Sequence, residues 1–189
     1  MDNSKVSAII LSGGKSSRMG TDKCDLVYGG KTLLNFQIDK IKNIGIKDVI
    51  ASGYRGKTCD AKVVPDNLMR GPLSGLFLGL KEIENDRAIV ISVDVPLVNT
   101  EILNRIIEHS YKTDLDIVIL RHKGKIEPLI GVYKKVIADK VYEVINEENH
   151  CVMKLVEASN HGYFDLDIEE DVFLNVNNKA DYDILLKSK

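Results

Sequence analysis

Short runs of β-branched and aliphatic residues alternate along the chain with segments in which apolar residues recur three and four positions apart. The runs predict buried strands, and the longer segments predict amphipathic helices. The predicted strands are Val6–Leu11, Asp48–Ala51, Lys62–Val64, Ala88–Val93 and Leu115–Leu120. The predicted helices are Thr32–Lys42, Leu73–Ile83 and Thr100–Ser110. This alternation predicts an α/β fold, in which a parallel sheet carries crossover helices on both faces.

The pattern changes after Leu120. A turn at residues 122–125 leads to the apolar segment Leu129–Tyr133 and then to a predicted helix from about Lys134 to Asn146. A last short strand, Val172–Val176, and a closing helix from Lys179 to Leu186 complete the prediction. Because no proline- or serine-rich linker and no internal repeat interrupts the sequence, we predict one domain over residues 1–189.

Charge and composition narrow the classes of partner. The 189 residues include 26 Lys plus Arg and 28 Asp plus Glu, which gives a formal net charge of −2. Proteins that bind the phosphate backbone of nucleic acid usually carry a basic excess, so we predict no nucleic-acid partner. No apolar run reaches the roughly 18 residues of a membrane helix, and Met1–Lys5 does not resemble a signal peptide. We therefore predict no membrane contact and a cytoplasmic location.

The first predicted strand runs directly into a glycine-rich loop, and residues 11–23 read LSGGKSSRMGTDK. In open α/β sheets, ligands bind beyond the carboxyl ends of the strands. Gly13 and Gly14 would let backbone amides approach phosphate oxygens, and Arg18 and Lys23 would add positive charge beside them. The alternative interpretation is an exposed polar loop without a ligand.

Two familiar nucleotide motifs do not fit this loop. Gly-Lys-Ser/Thr begins at positions 14, 30 and 56, but a P-loop also needs a glycine five positions earlier, where Ile9, Asp25 and Ala51 stand. The glycines at 13, 14 and 20 do not have the spacing of a dinucleotide fingerprint. The sequence therefore indicates a phosphate loop of another kind.

Two carboxylates follow later predicted strands. Asp66 precedes the sequence Gly-Pro-Leu-Ser-Gly at 71–75, which begins a helix with proline near its first turn. Asp94 follows the predicted strand Ala88–Val93. Its carboxylate is a hard oxygen ligand suited to Mg²⁺, which typically binds one or two carboxylates plus substrate phosphates. The alternatives are a turn or cap role for Asp66 and a turn ahead of Pro96 for Asp94.

The loop and these later segments together resemble one enzyme family. Residues 11–23 are similar to the L-A-G-G-x-S-x-R-M-G-x-D-K signature of nucleotidyltransferases, and most closely to that of the molybdenum cofactor guanylyltransferases, with Ser12 in place of the usual Ala. Further segments resemble that family in the same order along the chain: Asp66 with residues 71–75, Asp94 in the sequence Val93-Asp94-Val95-Pro96, residues 126–133, and Phe173-Leu174-Asn175-Val176-Asn177.

The resemblance extends from Val6 to about Leu186. It implies a three-layer, Rossmann-like fold of the nucleotide-diphospho-sugar transferase type, with a mostly parallel sheet. It implies transfer of GMP from GTP to molybdopterin with release of pyrophosphate, so GTP and molybdopterin are the expected substrates and Mg²⁺ the expected cofactor. It further implies a nucleotide-binding part to about residue 120, an acceptor-binding part over about 121–189, and transient contact with the enzymes or chaperones that receive the product.

The resemblance also implies roles for individual residues. It implies catalytic roles for Arg18, Lys23 and Asp94, with Asp94 as the metal ligand. The expected nucleotide-binding residues are Leu11, Ser12, Gly13, Gly14, Lys23, Ser52, Asp66 and Asp94. Asn175 and Asn177 are the expected acceptor contacts, and on a strand their side chains would share one face. In nucleotidyl transfer, Arg18, Lys23 and a metal on Asp94 would position the phosphates and neutralise their charge, and no nucleophilic side chain is required.

Three alternatives stay open at this point. A related nucleotidyltransferase would use CTP for the same pterin, or GTP for a different phosphorylated acceptor. The resemblance favours GTP, because cytidylyl relatives resemble L-A-A-G where this sequence has Gly13-Gly14. A nucleotide-binding protein without turnover is the second alternative, and the set of Arg18, Lys23 and Asp94 argues against it. The third is a structural α/β domain with glycine turns, which the ordered series of motifs disfavours.

Overall fold

A computed structural model of the protein describes residues 2–13, 22–56, 58–168 and 170–188. Its strands are β1 (Ser7–Leu11), β2 (Val27–Tyr28), β3 (Lys31–Thr32), β4 (Val49–Ser52), β5 (Lys62–Val64), β6 (Arg87–Ser92), β7 (Ile117–His122), β8 (Lys125–Lys134) and β9 (His161–Leu166). Its helices are α1 (Leu33–Asn43), α2 (Pro72–Glu82), α3 (Thr100–Tyr111), α4 (Ala138–Ile145), α5 (Val152–Glu157) and α6 (Lys179–Lys187). Short 3₁₀ turns lie at Asn3–Lys5, Lys23–Asp25, Lys135–Ile137 and Glu170–Phe173.

Seven strands form the central sheet in the order β5-β4-β1-β6-β8-β7-β9. All neighbours are parallel except β8, which pairs antiparallel with both β6 and β7. The strands β2 and β3 form a separate small hairpin. The mostly parallel sheet confirms the predicted α/β class.

Side chains alternate between the two faces of the sheet and build a core layer on each. On β1, Ala8 and Ile10 pack with residues of α1, α3 and α6, whereas Ile9 and Leu11 pack with residues of α2, α4 and α5. The two-residue period of a strand produces this alternation. The sheet therefore lies between two helical layers, and the three-layer, Rossmann-like architecture is confirmed.

The carboxyl ends of the parallel strands meet along one edge of the sheet. Backbone hydrogen bonds continue a residue beyond the strands here: the amide of Ser12 donates to Ser52 O at 2.9 Å, that of Gly53 to Val64 O at 2.8 Å, and that of Val93 to Leu11 O at 3.0 Å. Because these bonds fix the first residues of three loops, they determine where those loops begin.

The elements predicted up to Leu120 are all present within two residues of their expected ends. Local chemistry explains this agreement at α1 and α3, because the side chains of Thr32 and Asn99 accept hydrogen bonds from Asn35 N and Ile102 N and cap the helices. Among the helices that the structure describes, none has the length and hydropathy to cross a lipid bilayer.

The predicted strand Val172–Val176 is wrong. Residues Glu170–Phe173 form a 3₁₀ turn, and residues 174–177 have no regular structure. Phe173 and Val176 are buried by packing across the sheet edge, where the Phe173 ring stacks on His122 with centroids 3.9 Å apart. The amide of Val176 donates to Asp94 O at 2.8 Å. The apolar positions therefore reflect packing and not strand pairing.

Other parts of the last third also differ from the prediction. The expected helix from Lys134 to Asn146 is a 3₁₀ turn followed by the shorter α4, and α5 and β9 were not predicted. The edge strand β9 is half-exposed over most of its length, so its sequence lacks the continuous apolar run of a buried parallel strand. The hairpin β2–β3 was also missed, because strands of two residues leave no periodic signal.

Candidate functional site

The segments that carry the predicted site residues meet at the carboxyl edge of β4, β1 and β6. Leu11 is the last residue of β1, and its side chain is buried in the core. Ser12 follows, and both its amide and its hydroxyl donate to Ser52 O at 2.9 Å. Gly14 and Arg18 lie outside the described residues. The described part of the first loop is therefore held by β4 at the point where it leaves β1.

Gly13 and Gly53 bring two loops unusually close together. Gly53 has φ +83°, and a Cβ atom built on it would stand 2.7 Å from Gly13 Cα and 2.8 Å from Gly13 N. Real Cβ atoms do not approach backbone atoms so closely, and a left-handed φ already favours glycine. Any side chain at position 53 would therefore push the first loop away from β4.

Asp66 serves the turn that leads into α2. Its Oδ1 accepts from Leu68 N at 3.0 Å and from Met69 N at 2.9 Å, and its Oδ2 accepts from the Ser74 hydroxyl at 2.8 Å. A carboxylate offers about four lone-pair positions. Three of them are in use, so Oδ2 keeps one acceptor position for a ligand.

Ser52 is buried at the end of β4. Its hydroxyl donates to Gly75 O at 2.8 Å, which ties the strand to the first turns of α2. The sequence motif at 71–75 is therefore joined directly to the carboxyl end of β4 through Ser52.

Lys23 begins a short 3₁₀ turn that returns the chain to the sheet edge. Asp22 caps this turn by accepting from Cys24 N at 3.0 Å, and the Cys24 thiol donates to Ser12 O at 3.2 Å. Burial, together with Asp22, raises the pKa of the Cys24 thiol, so this sulfur is an unreactive packing group. Both contacts anchor Lys23 beside the first loop.

Lys23, Asp94 and Asn177 form one hydrogen-bonded group, although they come from three distant parts of the chain. Lys23 Nζ donates to Asp94 Oδ2 at 2.8 Å and to Asn177 Oδ1 at 2.6 Å. The Lys23 and Asp94 side chains are 20% and 16% exposed, so the pair is partly shielded but open to a ligand. The Ser92 hydroxyl donates to Asp94 Oδ1 at 2.6 Å and orients the carboxylate.

The donor set at Asp94 fits a cation that takes most of its ligands from the substrate. No cluster of three or more His, Cys, Asp or Glu side chains suited to a metal occurs within the described ranges. Mg²⁺ does not need such a cluster, since it typically binds one or two carboxylates together with substrate phosphates and water. Asp94, which lies at a strand end beside the Lys23 ammonium, could supply one such carboxylate ligand.

Asn175 and Asn177 do not share a strand face, because their segment is irregular. Both residues are exposed, and the Asn177 side chain contacts Lys23. Asn178 caps α6 in a capping box with Asp181, whose Oδ2 also accepts from Asn177 N at 2.8 Å. The cap fixes the backbone of Asn177 and leaves its side chain to face Lys23.

Sequence reasoning missed Gly53 and Ser92. Gly53 follows a predicted strand, and a glycine at that place is a weak signal for close backbone approach. Ser92 lies two residues before Asp94 in an apolar strand, where a lone hydroxyl needs a partner when buried. Those two signals were available, but only the fold shows that Gly53 faces Gly13.

The fold and this group of residues define the class of protein: an α/β enzyme that transfers a nucleotidyl group. The family model described as "MobA-like NTP transferase domain" matches residues 8–162, and the chain belongs to this family. The match ends within β9, before Asn175 and Asn177.

Relatives and solved structures extend the match over nearly the whole chain. The chain is 33% identical to a probable molybdenum cofactor guanylyltransferase of Natranaerobius thermophilus, over 93% of this chain and 92% of the relative. It is 31% identical to a protein of the same description from Carboxydothermus hydrogenoformans, over 94% and 93%. The crystal structure of molybdopterin-guanine dinucleotide biosynthesis protein A from Archaeoglobus fulgidus superposes with a TM-score of 0.79 at 21% identity, covering 96% of this chain and 97% of that one, and shows the same fold.

Proposed function

We propose that this protein transfers GMP from GTP to molybdopterin, releasing pyrophosphate and forming the guanine dinucleotide form of the cofactor. The observation that carries the proposal is the group formed by Lys23, Asp94 and Asn177 at the sheet edge. It joins the first loop, the end of the central strand and the segment before α6. The names and the full-length similarity of the two relatives support the choice of GTP and molybdopterin.

The nucleotide binds on the β5, β4 and β1 side in this proposal. The residues assigned to it are Leu11, Ser12, Gly13, Gly14, Lys23, Ser52, Asp66 and Asp94. Gly13 and Gly53 leave no Cβ atom where the two loops meet, which would let backbone amides approach phosphate oxygens. Asp66 has one acceptor position left on Oδ2, which suits a ribose hydroxyl or a guanine N–H donor.

The reaction needs positioning and charge neutralisation, because no covalent bond to the protein is made. A terminal phosphate oxygen of the acceptor forms a bond to the α-phosphorus of GTP, and the bond from that phosphorus to the bridging oxygen of pyrophosphate breaks. Lys23 and Arg18 stabilise the negative charge on the α-phosphate and on the leaving pyrophosphate. Mg²⁺ held by Asp94 and the phosphates would supply further neutralisation.

The acceptor binds on the other side, within about residues 121–189, where Asn175 and Asn177 are its proposed contacts. Residues up to about 120 form the nucleotide-binding part of the same domain. We place the reaction in the cytoplasm, where GTP is available, and the product passes to molybdenum enzymes or their chaperones by transient contact. Asn177 links the two sides, because its amide oxygen already touches Lys23.

A nucleotide panel tests this proposal. The purified protein is incubated with Mg²⁺ and GTP, CTP, ATP or UTP, with and without molybdopterin, and pyrophosphate release and thermal stability are measured. We expect pyrophosphate only with GTP and acceptor together, and a rise in melting temperature with GTP, since a ligand at 100 times its Kd adds about 2.7 kcal/mol of stability. A preference for CTP would overturn the guanylyl assignment, and binding without pyrophosphate release would overturn the enzymatic one.

A further inference from the structure

Lys40 is a buried lysine on α1 that faces the segment following β6. The residue is 8% exposed, and its Nζ donates to Gln37 Oε1 at 2.9 Å, to Pro96 O at 2.6 Å and to Val98 O at 2.7 Å. All three acceptors are neutral oxygens. Lysine is almost never buried without a charged partner. Packing alone therefore does not explain the position of Lys40.

Gln37 extends the same set of contacts by one helical turn. It is fully buried, and its Nε2 donates to Ser92 O at 3.1 Å and to Val95 O at 3.2 Å. Residues three apart on a helix lie on the same face, so Gln37 and Lys40 together contact four backbone carbonyls between residues 92 and 98. Asp94 lies between the first two of these carbonyls in the sequence.

Residues 93–99 leave the sheet without entering a helix. Ser92 O and Val95 O also accept long bonds from Val95 N at 3.5 Å and Val98 N at 3.4 Å, whereas Pro96 O and Val98 O accept from Lys40. A buried carbonyl without a donor costs about 1–3 kcal/mol. Burial lowers the pKa of Lys40 to about 7, whereas the three acceptors favour the ammonium, which alone has three N–H groups to donate. The lysine is thus held among acceptors that use its full donor capacity.

We propose that Lys40, supported by Gln37, is a positioning residue that holds residues 92–98 so that Asp94 stays at the strand end facing Lys23 and the substrate phosphates. The Ser92 hydroxyl and Lys23 orient the Asp94 carboxylate, and Val176 N binds its carbonyl. Gln37 and Lys40 on α1 fix the backbone on either side of Asp94. This inference rests on the role given to Asp94 in the proposed function.

The inference predicts a selective effect. Among the described residues, no hydrogen bond joins Gln37 or Lys40 to Gly13, Gly53 or Asp66. The proposed nucleotide site should therefore keep its shape. The carboxylate that binds the cation should lose its fixed position. Loss of Lys40 should therefore weaken the use of Mg²⁺ far more than the use of GTP.

The test compares Lys40→Met with Lys42→Met, a control on the same helix whose lysine is more exposed and pairs with Asp60. Backbone hydrogen exchange of residues 92–98 is measured on the protein without ligands, and turnover is measured over a range of Mg²⁺ and GTP concentrations.

In Lys40→Met we expect hydrogen exchange about 10-fold faster in residues 92–98. We also expect a half-saturating Mg²⁺ concentration raised about 5-fold or more, and a KM for GTP changed less than about twofold. Lys42→Met should match the wild type in all three, and Lys40→Arg should restore part of the Mg²⁺ response.

Each outcome decides the inference. Unchanged exchange at residues 92–98 in a folded Lys40→Met protein would overturn it, and so would faster exchange with an unaltered Mg²⁺ response, which would make Lys40 purely structural. If Lys40→Met does not fold, Gln37→Leu is measured in the same way and judged by the same criteria. This variant removes the bonds to Ser92 O and Val95 O and one acceptor of Lys40. If wild-type protein releases no pyrophosphate, or if Asp94→Ala remains active, the proposed function fails instead, and the inference falls with it.

Discussion

The two halves of the carboxyl edge are built by different means. On the side of β1, β4 and β5 the backbone makes the surface: Ser12 and Gly53 continue the ladder beyond the strands, and Gly13 lies against Gly53 without intervening side chains. On the side of β7 and β9 an irregular segment crosses the edge and is held by side chains, with Phe173 stacked on His122 and Asn177 bound to Lys23.

This difference determines what each half tolerates. A surface made by close approach of backbone is sensitive to any added Cβ atom. A surface made by side chains is sensitive to their chemistry. Lys23 and Asp94 lie where the halves meet, so changes there should affect both substrates at once.

Removing Lys23 or Asp94 should have the largest effect. Lys23→Ala and Asp94→Ala should each lower the turnover number by about 10²-fold or more, as expected when a group that stabilises transition-state charge is lost. Because the two side chains are bonded to each other, the double variant should lose little more than either single variant. Steady-state pyrophosphate release with saturating GTP and acceptor measures the effect.

An exposed ion pair of similar geometry provides the control. Glu108 of α3 and Lys112, the residue that follows the helix, are four positions apart, with Oε1 and Nζ 2.6 Å from each other. Exposed pairs of this kind contribute little. Lys112→Ala should therefore leave turnover within about twofold of the wild type. Wild-type turnover in Lys23→Ala or Asp94→Ala would show that the pair of Lys23 and Asp94 is not the reacting centre.

Gly53→Ala tests the backbone-built half and should have an intermediate effect. The new Cβ would meet Gly13 backbone atoms at 2.7 and 2.8 Å, so the first loop must move. We expect a loss of about 3 kcal/mol in the free energy of unfolding, from left-handed strain plus crowding. We also expect GTP to bind about 10-fold more weakly. Urea unfolding and calorimetric titration with GTP measure the two effects.

Gly45→Ala separates strain from crowding. Gly45 has φ +90°, but a Cβ there meets nothing within 4 Å, so this variant carries the strain alone. It should cost about 1 kcal/mol and leave GTP affinity unchanged. Equal effects of the two variants on GTP binding would mean that close approach of the loops at Gly13 and Gly53 has no part in the nucleotide site.

The backbone-built half could be predicted from sequence largely because its signals are local. Strand and helix periods, caps such as Thr32 and the motif at 71–75 all act within a few residues of chain, and the structure has the elements up to Leu120 where they were expected. Lys23 and Asp94 were chosen separately, from a loop motif and a strand end, and the fold brings them within 2.8 Å. Parallel strands place their carboxyl ends together, which explains why that convergence could be anticipated.

The other half depends on contacts between residues far apart in the chain. The segment from Val172 to Val176 has the apolar spacing of a short strand, yet it is held by His122 and by Asp94 O. Neither partner can be identified from the local pattern. The same reason applies to Gly53 and Lys40, whose roles appear only when Gly13 and the carbonyls of residues 92–98 are placed beside them.

The comparison of Asn177 with Asn175 tests the half built by side chains and should show the smallest effect. Both were predicted to contact the acceptor from one strand face. In the structure both are exposed, and Asn177 is hydrogen-bonded to Lys23. We expect Asn177→Ala to raise the KM for molybdopterin about 5- to 10-fold with little change in the KM for GTP, which corresponds to the loss of one hydrogen bond of about 1 kcal/mol. Asn175→Ala should change it by less than about threefold. The measurement is initial velocity over a range of acceptor at saturating GTP. A larger effect at Asn175 would mean that acceptor recognition lies outward from Lys23, and that the irregular segment binds the acceptor directly and not through the group that Asn177 forms with Lys23 and Asp94.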